Sequence, residues 1–343
     1  MPDPLEERVA RLVCVGFPGR EPDADLVSLI RRGVRSVILF ARNAGDRLEV
    51  AETIRRVKRL SPDPVGDPIL VCVDQEGGDT IRFADGFDPP PAMRTVGLEG
   101  AWAAADTGRR LAEDLRPVGI DLDLAPVMDV DSNPANPVIG PRAFARDPAI
   151  VSACGVALIE SMQAGGVAAC AKHFPGHGDT DLDSHHDLPV LRHDLDRLHA
   201  VELPPFVAAI RAGVAAVMTT HVVFEAIDPG VPATMSPAAI DGLLRRTLGY
   251  GGVVISDDLE MAAIADLVET GEAAVRTVEA GVDLLLCCHL PDRQHRAIDA
   301  LADAVRGGRI GERRIDDSLE RLDRLFTEYV RPPRPIDSNP PHH

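Results

Sequence analysis

Short apolar runs alternate along most of the chain with longer segments in which apolar residues recur every three or four positions. The short runs have the length and composition of buried strands, and the longer segments have the period of helices packed on one face. This alternation is typical of parallel βα units. The predicted strands are Leu12–Gly16, Ser36–Phe40, Ile69–Asp74, Leu122–Val127, Val167–Ala171, Ala215–Thr219, Val253–Ser256 and Val282–Leu286.

The segments between these strands predict helices. Eight strand-helix repeats favour an α/β fold of the TIM (β/α)8 type, a single barrel domain over residues 1–330, rather than an open sheet. Residues 331–343 are proline-rich and polar, so a disordered tail is predicted there. The predicted helices include Ala24–Arg32, Arg47–Leu60, Trp102–Leu115, Ile150–Gln163, Pro204–Ala212, Pro237–Leu248 and Gly271–Ala280.

Polar residues fall where several of the predicted strands end. Lys172 and His173 follow the fifth strand, and His221 follows the sixth. Asp74 ends the third strand, and the Asp257-Asp258 pair follows the seventh. Active sites of such barrels lie at the carboxyl ends of the strands, where the βα loops meet. The sequence therefore predicts a single site at that face.

The segment Lys172–Pro189 is the most polar of these loops, with four histidines, four aspartates and one lysine in eighteen residues. Pro175, Gly176 and Gly178 exclude a continuous helix, so we expect a loop that carries chemistry instead of a core element. Three interpretations stay open: a metal site, an acid-base site, and a solvated loop with capping aspartates. The candidate metal ligands are His173, His177, Asp179, Asp183, His185 and His186.

The spacing weakens the metal interpretation and supports acid-base chemistry. His173 and His177 are separated by a proline-glycine break, so they do not share a helical face. Asp183 precedes His185 by two residues, close enough to orient one ring nitrogen. A carboxylate nucleophile at Asp257 with a proton donor on another loop would follow the logic of a retaining glycosidase, with histidine in place of the second carboxyl group.

Composition narrows the classes of partner. The formal net charge of −18 disfavours nucleic acid and anionic membrane surfaces, and the aromatic content of 3% leaves few stacking platforms. The start of the chain lacks a signal-peptide pattern and no apolar stretch is long enough to span a bilayer, so a cytoplasmic location is expected. The six cysteines lack CxxC spacing and are predicted to be buried apolar residues.

Several motifs in a fixed order resemble the family 3 glycoside hydrolases. They are VDQEGG with Arg82-Phe83, VIGPRAF around Arg142, KHFPGHG followed by DSH, and GVVISDDLEM. The similarity runs from about Leu12 to about Leu290. Within the family, the motifs resemble more narrowly those of the single-domain β-N-acetylglucosaminidases of peptidoglycan recycling. It implies a TIM barrel that removes terminal N-acetylglucosamine from muropeptides or related β-glycosides, with retention and without a metal or cofactor.

The resemblance also implies roles for residues. Asp257 falls on the nucleophile, His185 on the acid/base histidine and Asp183 on its partner. Strand alternation predicts that the Asp258 side chain points elsewhere. His221 stays open between a supporting hydrogen-bonding role and simple packing. The residues that fall on sugar-binding positions are Asp74, Arg82, Arg142, Lys172 and His173.

One position departs from the family. Relatives commonly continue DQEGG with arginine, whereas this chain has Asp79, which removes a positive charge near the rim of the predicted pocket. That departure concerns the leaving group and not the chemistry.

Three other functions stay open on the sequence. A phosphorylase would share the first half-reaction and pass the sugar to phosphate, which a histidine base repels less than a carboxylate would. A non-catalytic sugar-binding barrel would bind without turnover. A metal-dependent hydrolase would lose its activity on chelation.

Overall fold

The computed structural model describes residues 3–182 and 188–330. Eight parallel strands close into a barrel with the order β1-β10-β9-β7-β5-β4-β3-β2, which confirms the predicted TIM barrel. The chain thus alternates strand and helix around one axis. The barrel strands are β1 (Val13–Val15), β2 (Ser36–Leu39), β3 (Leu70–Val73), β4 (Leu122–Asp123), β5 (Ala168–Phe174), β7 (Ala216–Thr219), β9 (Val253–Asp258) and β10 (Leu284–Cys287).

Two further strands, β6 (Val190–Leu191) and β8 (Val223–Phe224), pair with each other outside the barrel. Helices cover the barrel, and several begin at a capping carboxylate: Asp46 accepts from the backbone N–H of Leu48 and Glu49 at the start of one of them. The α-helices are α1 (Pro4–Ala10), α2 (Ala24–Arg32), α3 (Arg47–Lys58), α4 (Met93–Glu99), α5 (Ala101–Val118), α6 (Pro148–Ala164), α7 (Leu195–Arg197), α8 (Leu203–Arg211), α9 (Ala262–Ala265), α10 (Thr270–Ala280), α11 (Pro291–Arg306) and α12 (Glu312–Tyr329).

Several elements of the structure differ from the sequence prediction. The fourth strand ends at Asp123, short of the predicted Val127, because Pro126 has no N–H to donate to a neighbouring strand. The fifth strand continues through Lys172 and His173 to Phe174. The segment Ala238–Thr247, predicted as an α-helix, is wound as a π-helix.

The barrel interior and the strand-helix interface form one hydrophobic core, and the six cysteines are buried in or next to it, as predicted. At the amino-terminal end of the strands, Asp283 accepts hydrogen bonds from Ser318 (2.6 Å), from the Val254 backbone (2.9 Å) and from Arg321 (3.1 Å). This buried carboxylate ties β9 and α12 to the start of β10. A buried ion cluster therefore holds the end of the barrel away from the strand carboxyl termini.

Within residues 3–182 and 188–330, none of the helices combines the length and the apolar content that a bilayer crossing requires. The predicted tail, residues 331–343, lies outside the described residues.

Candidate active site

A cavity of about 250 Å³ opens at the carboxyl ends of the barrel strands. Its size suits one small polar ligand, such as a single sugar ring, better than a long chain. Every described residue that the sequence predicted to bind sugar lines this cavity, together with the predicted nucleophile: Asp74, Arg82, Arg142, Lys172, His173 and Asp257.

Two strand irregularities bring consecutive polar residues to this mouth. Along β9 the pairing with β10 shifts: Ile255 pairs with Leu284, and Asp258 pairs with Leu286. Between these two pairs β9 advances by three residues and β10 by two. Along β5 the pairing with β7 shifts in the same way between Ala171 and Phe174. An extra residue in one strand breaks the alternation of side chains between the two faces. Asp257 and Asp258 therefore both line the cavity, and the expectation that Asp258 points elsewhere is wrong.

Asp257 is held as an anion facing the cavity. Its Oδ1 accepts a hydrogen bond from the Asp258 backbone N–H at 2.9 Å. Burial alone would raise the pKa of this carboxyl group, but His221, His173, the Asp258 backbone N–H and Lys172 outweigh it and lower the pKa below its ordinary value. An unprotonated carboxylate next to an open cavity can act as a nucleophile.

Asp258 makes different contacts at the cavity rim. Its Oδ2 lies 3.1 Å from Nε2 of His289, and its Oδ1 accepts from the Glu260 backbone at 3.1 Å. His289 in turn stands beside Arg42, whose Nη1 is 3.0 Å from the other ring nitrogen. These contacts tie the loops after β9 and β10 together at the rim.

An ion-pair network forms the opposite wall. Lys172 Nζ lies 2.8 Å from Asp74 Oδ1 and 2.5 Å from Glu76 Oε1. Arg142 donates to both oxygens of Glu76 at 2.8 Å, and Arg82 lies 3.4 Å from Asp74. Burial opposes charge on Glu76, but Arg142 and Lys172 hold its pKa well below the ordinary range. The network presents fixed cationic and anionic groups that can grip sugar hydroxyls.

Glu76 itself was not predicted from the sequence. It lies two residues after Asp74 within the same DQEGG motif, and that proximity was the available signal. Its side chain is only 2% exposed, so its two cationic partners cannot be replaced by water.

A second buried carboxylate that the sequence did not reveal, Asp129, orients His173. The Nδ1 of His173 lies 2.7 Å from Asp129 Oδ2, and Asp129 Oδ1 also accepts from the His177 backbone at 2.6 Å. Because a carboxylate can only accept here, Nδ1 of His173 carries a proton. The His173 ring is thereby fixed at the cavity edge, with Nε2 3.5 Å from Arg142.

Residues 172–180 of the Lys172–Pro189 segment are not a solvated loop, whereas Asp181 and Leu182 are exposed. Lys172 and His173 are buried on β5, where they pair with the carboxylates described above. His177 and Thr180 are buried under the loop after β4, whose residues Ser132, Asn133 and Asn136 hydrogen-bond to residues 177–180. Burial lowers the pKa of His177 to about 4, so its ring is neutral at pH 7. The predicted acid/base pair, Asp183 and His185, and also His186, lie outside the described residues.

The other candidate metal ligands make contacts of their own. Asp179 binds His193 and Ser132, and His177 contacts Thr180 at 2.9 Å. Within residues 3–182 and 188–330, no three His, Cys, Asp or Glu side chains are grouped so as to hold a metal ion.

His221 lies behind Asp257 and Asp258, fully buried. Its Nε2 is 2.9 Å from the Asp258 carbonyl oxygen and its Nδ1 is 2.9 Å from the Thr234 hydroxyl. Burial, partly offset by Asp257 and Asp258, lowers the pKa of this histidine, so the ring is neutral at pH 7. Of the two interpretations left open by the sequence, the hydrogen-bonding one fits these contacts.

Comparison with known proteins places these observations in a wider group. The model of the glycosyl hydrolase family 3 N-terminal domain matches residues 4–325. Two relatives called β-hexosaminidase are those of Methylococcus capsulatus, 39% identical over 77% of this chain and 78% of the relative, and Thiobacillus denitrificans, 40% identical over 76% and 72%.

Solved structures give the same grouping. A family 3 β-N-acetylglucosaminidase from Paenibacillus sp. FPU-7 superposes with a TM-score of 0.92 at 43% identity over 95% of this chain. This chain spans 62% of that protein's length. NagZ from Neisseria gonorrhoeae, solved in complex with N-trifluoroacetyl-D-glucosamine, superposes with a TM-score of 0.78 at 33% identity over 93% of this chain and 90% of that one.

Proposed function

Since the chain belongs to glycosyl hydrolase family 3, we propose that it is a retaining, exo-acting β-N-acetylhexosaminidase that releases terminal N-acetylglucosamine. The observation that carries the proposal is the position of Asp257: an ionised carboxylate at the carboxyl end of β9, facing a cavity that fits one sugar ring. The names of the relatives, β-hexosaminidase and β-N-acetylglucosaminidase, support the sugar.

The chemistry would run in two half-reactions. An Asp257 oxygen attacks the anomeric carbon, the bond to the leaving oxygen breaks, and His185 supplies the proton that this oxygen takes up. Water, deprotonated by the same histidine, then attacks the anomeric carbon and frees Asp257. Asp183 would orient His185. No metal or cofactor enters either step.

The ion-pair wall would bind the sugar. Asp74 and Arg82 offer a carboxylate and a guanidinium side by side, and Lys172, Arg142 and His173 stand next to them. Because Glu76 already holds Lys172 and Arg142, and Asp129 holds His173, these three side chains lose little freedom when a sugar binds. Natural substrates would be muropeptides or related β-glycosides with N-acetylglucosamine at the non-reducing end.

A panel of nitrophenyl β-glycosides, with and without phosphate, tests the proposal. We expect fastest turnover of the N-acetylglucosaminide, with free sugar of retained configuration as product in both buffers. Sugar 1-phosphate in the phosphate arm would make the protein a phosphorylase instead. Binding without turnover of any glycoside would make it a sugar-binding barrel, and activity lost to a chelator and restored by one metal would make it a metal-dependent hydrolase.

Replacement of the nucleophile gives the matched test. Asp257→Ala should nearly abolish turnover, whereas Asp266→Ala, which changes an exposed acid on the same loop, should leave it unchanged. Comparable activity in both variants would remove Asp257 from the mechanism.

A further inference from the structure

Two grooves lead away from the central cavity, on different sides of the barrel mouth. The first, here called the β3–β4 groove, has a volume of about 430 Å³ and lies between residues 77–80, Ala92 and residues 137–142. It shares Thr80, Val138 and Arg142 with the cavity. The second, the β9–β10 groove, has about 440 Å³, lies between residues 258–266, His289 and Arg293, and shares Asp258, Met261 and His289.

The order of strands decides which groove faces the nucleophile. Asp257 ends β9, and β3 is four strands from β9 in either direction around the closed barrel. The β3–β4 groove is therefore across the mouth from Asp257, whereas the β9–β10 groove begins at the neighbouring Asp258. In a displacement through a glycosyl-enzyme, the nucleophile and the leaving group lie on opposite sides of the anomeric carbon.

We propose that the β3–β4 groove is the binding site for the leaving group of the substrate, and that it takes a sugar ring that carries no carboxylate. The proposal rests on the proposed function, because it uses Asp257 as the nucleophile. It narrows the substrate class beyond that function.

The lining of the groove determines the kind of leaving group. Pro137 and Val138 give one apolar wall, with the buried Ile139 behind them, and Gly77 and Gly78 give a wall of bare backbone. Both glycines have positive φ values, +113° and +57°, at which a larger residue would be strained. A slot of apolar side chains and backbone polar groups matches a sugar ring, whose faces are C–H and whose edges carry hydroxyls.

The charge of the groove comes from Asp79. Its side chain is exposed, and it forms no hydrogen bond or ion pair with a residue in the described part of the chain. The other charged residue in the lining, Arg142, is bound by both oxygens of Glu76, a carboxylate that it shares with Lys172. An unpaired carboxylate disfavours a leaving group with its own carboxylate and favours a neutral or amine-bearing one.

The location is tested with a pair of matched tryptophan variants. Ala92→Trp fills the β3–β4 groove and Ala265→Trp fills the β9–β10 groove; both alanines are partly exposed, so both proteins should fold. The substrates are N-acetyl-β-glucosaminyl fluoride, whose leaving group is one atom, and N,N′-diacetylchitobiose. For Ala92→Trp, kcat/KM on the disaccharide should fall roughly tenfold or more, with the fluoride unaffected. Ala265→Trp should change neither.

The outcomes separate the two proposals. A loss on the disaccharide in Ala265→Trp, or none in Ala92→Trp, would overturn the groove assignment. If Asp257→Ala still turned over the fluoride at the rate of the unmodified protein, the proposed function itself would fail, whatever the tryptophan variants did. Circular dichroism and thermal melts check that both variants are folded.

The charge preference has its own test. We compare kcat/KM for N-acetylglucosamine linked β-1,4 to glucosamine, to N-acetylglucosamine and to N-acetylmuramic acid. The carboxylate-bearing substrate should be the poorest, and Asp79→Asn should improve it up to about fivefold relative to the neutral one, as expected for an exposed charge at low salt. Asp85→Asn, an exposed acid outside the groove, should leave the ratios unchanged. Equal ratios in Asp79→Asn and the unmodified protein would refute the role of Asp79.

Discussion

His221 donates a hydrogen bond from Nε2 to the backbone carbonyl oxygen of Asp258, across 2.9 Å. A carbonyl oxygen can only accept, so Nε2 carries the proton; Nδ1 lies 2.9 Å from the Thr234 hydroxyl, which itself donates to the Thr220 carbonyl oxygen at 2.9 Å. Thr219 contacts the same hydroxyl at 3.0 Å. Three buried side chains thus hold the backbone directly after the proposed nucleophile.

Replacement of His221 should therefore act on Asp257 through the backbone. His221→Gln can still donate to the Asp258 carbonyl, whereas His221→Asn is too short to reach it. We expect His221→Asn to slow formation of the glycosyl-enzyme about two- to tenfold, the worth of one hydrogen bond, with inhibition by free N-acetylglucosamine unchanged. Rapid-quench kinetics on both variants measures this. Equal rates in the Gln and Asn variants would show that the bond to Asp258 does not matter.

His185, which lies outside the described residues, should show its acid/base role through the leaving group. In His185→Ala, cleavage of a disaccharide should slow about 10²–10⁴-fold. Formation of the glycosyl-enzyme from a nitrophenyl glycoside should slow much less, because nitrophenolate leaves without a proton. Deglycosylation then limits the rate of turnover, so a burst of nitrophenol should appear. Azide should speed turnover, because it replaces water with a nucleophile that needs no base. If cleavage of both substrates slows by the same factor, with no burst and no effect of azide, His185 is not the acid/base residue.

Glu76 should be the costliest single carboxylate of the ion-pair wall to remove. In Glu76→Gln the buried cations Lys172 and Arg142 lose a charged partner, and breaking a buried pair typically costs about 3–5 kcal/mol of unfolding free energy. Glu272→Gln is the control, because Glu272 also binds an arginine, Arg309, through two oxygens but at the surface. Its cost should be about 0–1 kcal/mol. Urea denaturation at pH 7 compares them, and similar losses would contradict the prediction.

Asp123 should give the protein a distinctive pH dependence of stability. Burial raises the pKa of this carboxyl group to about 7, and its Oδ2 has no hydrogen-bond partner among the described residues. Between about pH 4 and pH 7 the folded protein then holds a proton that the unfolded chain releases. This contribution to stability is complete below pH 4 and is lost as the pH rises to 7, by at most about 1.4 kcal/mol per pH unit.

His177 acts in the opposite direction over part of the same range. Its pKa is lowered to about 4, so the unfolded chain binds the extra proton between about pH 4 and pH 6.5, and stability rises with pH there. The unmodified protein should consequently show a shallow profile. Urea denaturation of Asp123→Asn from pH 4.5 to pH 8 should show the free energy of unfolding rising with pH, because the opposing contribution of Asp123 is gone. A pH profile parallel to that of the unmodified protein would refute the raised pKa of Asp123.

The sequence was sufficient for the barrel because its strands are short apolar runs. It also indicated that Asp74, Lys172 and Asp257 lie at strand ends, and all three line the cavity. It was insufficient where pairing overrides alternation: the bulge in β9 turns Asp258 toward the cavity, although the alternation of a regular strand places it on the other face. Glu76 and Asp129 were not predicted, because the sequence alone does not distinguish a buried acidic residue in a loop from an exposed one. Only the distances to Arg142 and His173 give them a role.

The first half of the Lys172–Pro189 segment was predicted to be a polar loop for a related reason. Its composition is polar, but its partners lie on the loop after β4, and contacts between loops distant in sequence leave no periodic signal. His177 is buried with its backbone bonded to Asp129 and Asn136 on that loop, and Lys172 is buried with Asp74 and Glu76, which follow β3.

The six cysteines are buried, although they are spread from the first strand to the last. A thiol-labelling reagent added to the folded protein would find no exposed sulfur in this set, and each label that does attach would record an opening of the part of the structure around that thiol. Counting labels by mass spectrometry, peptide by peptide, would show whether Cys14 and Cys287, on two strands that pair with each other, become reactive together. The native chain thus carries its own reporters of whether the barrel opens as a unit or strand by strand.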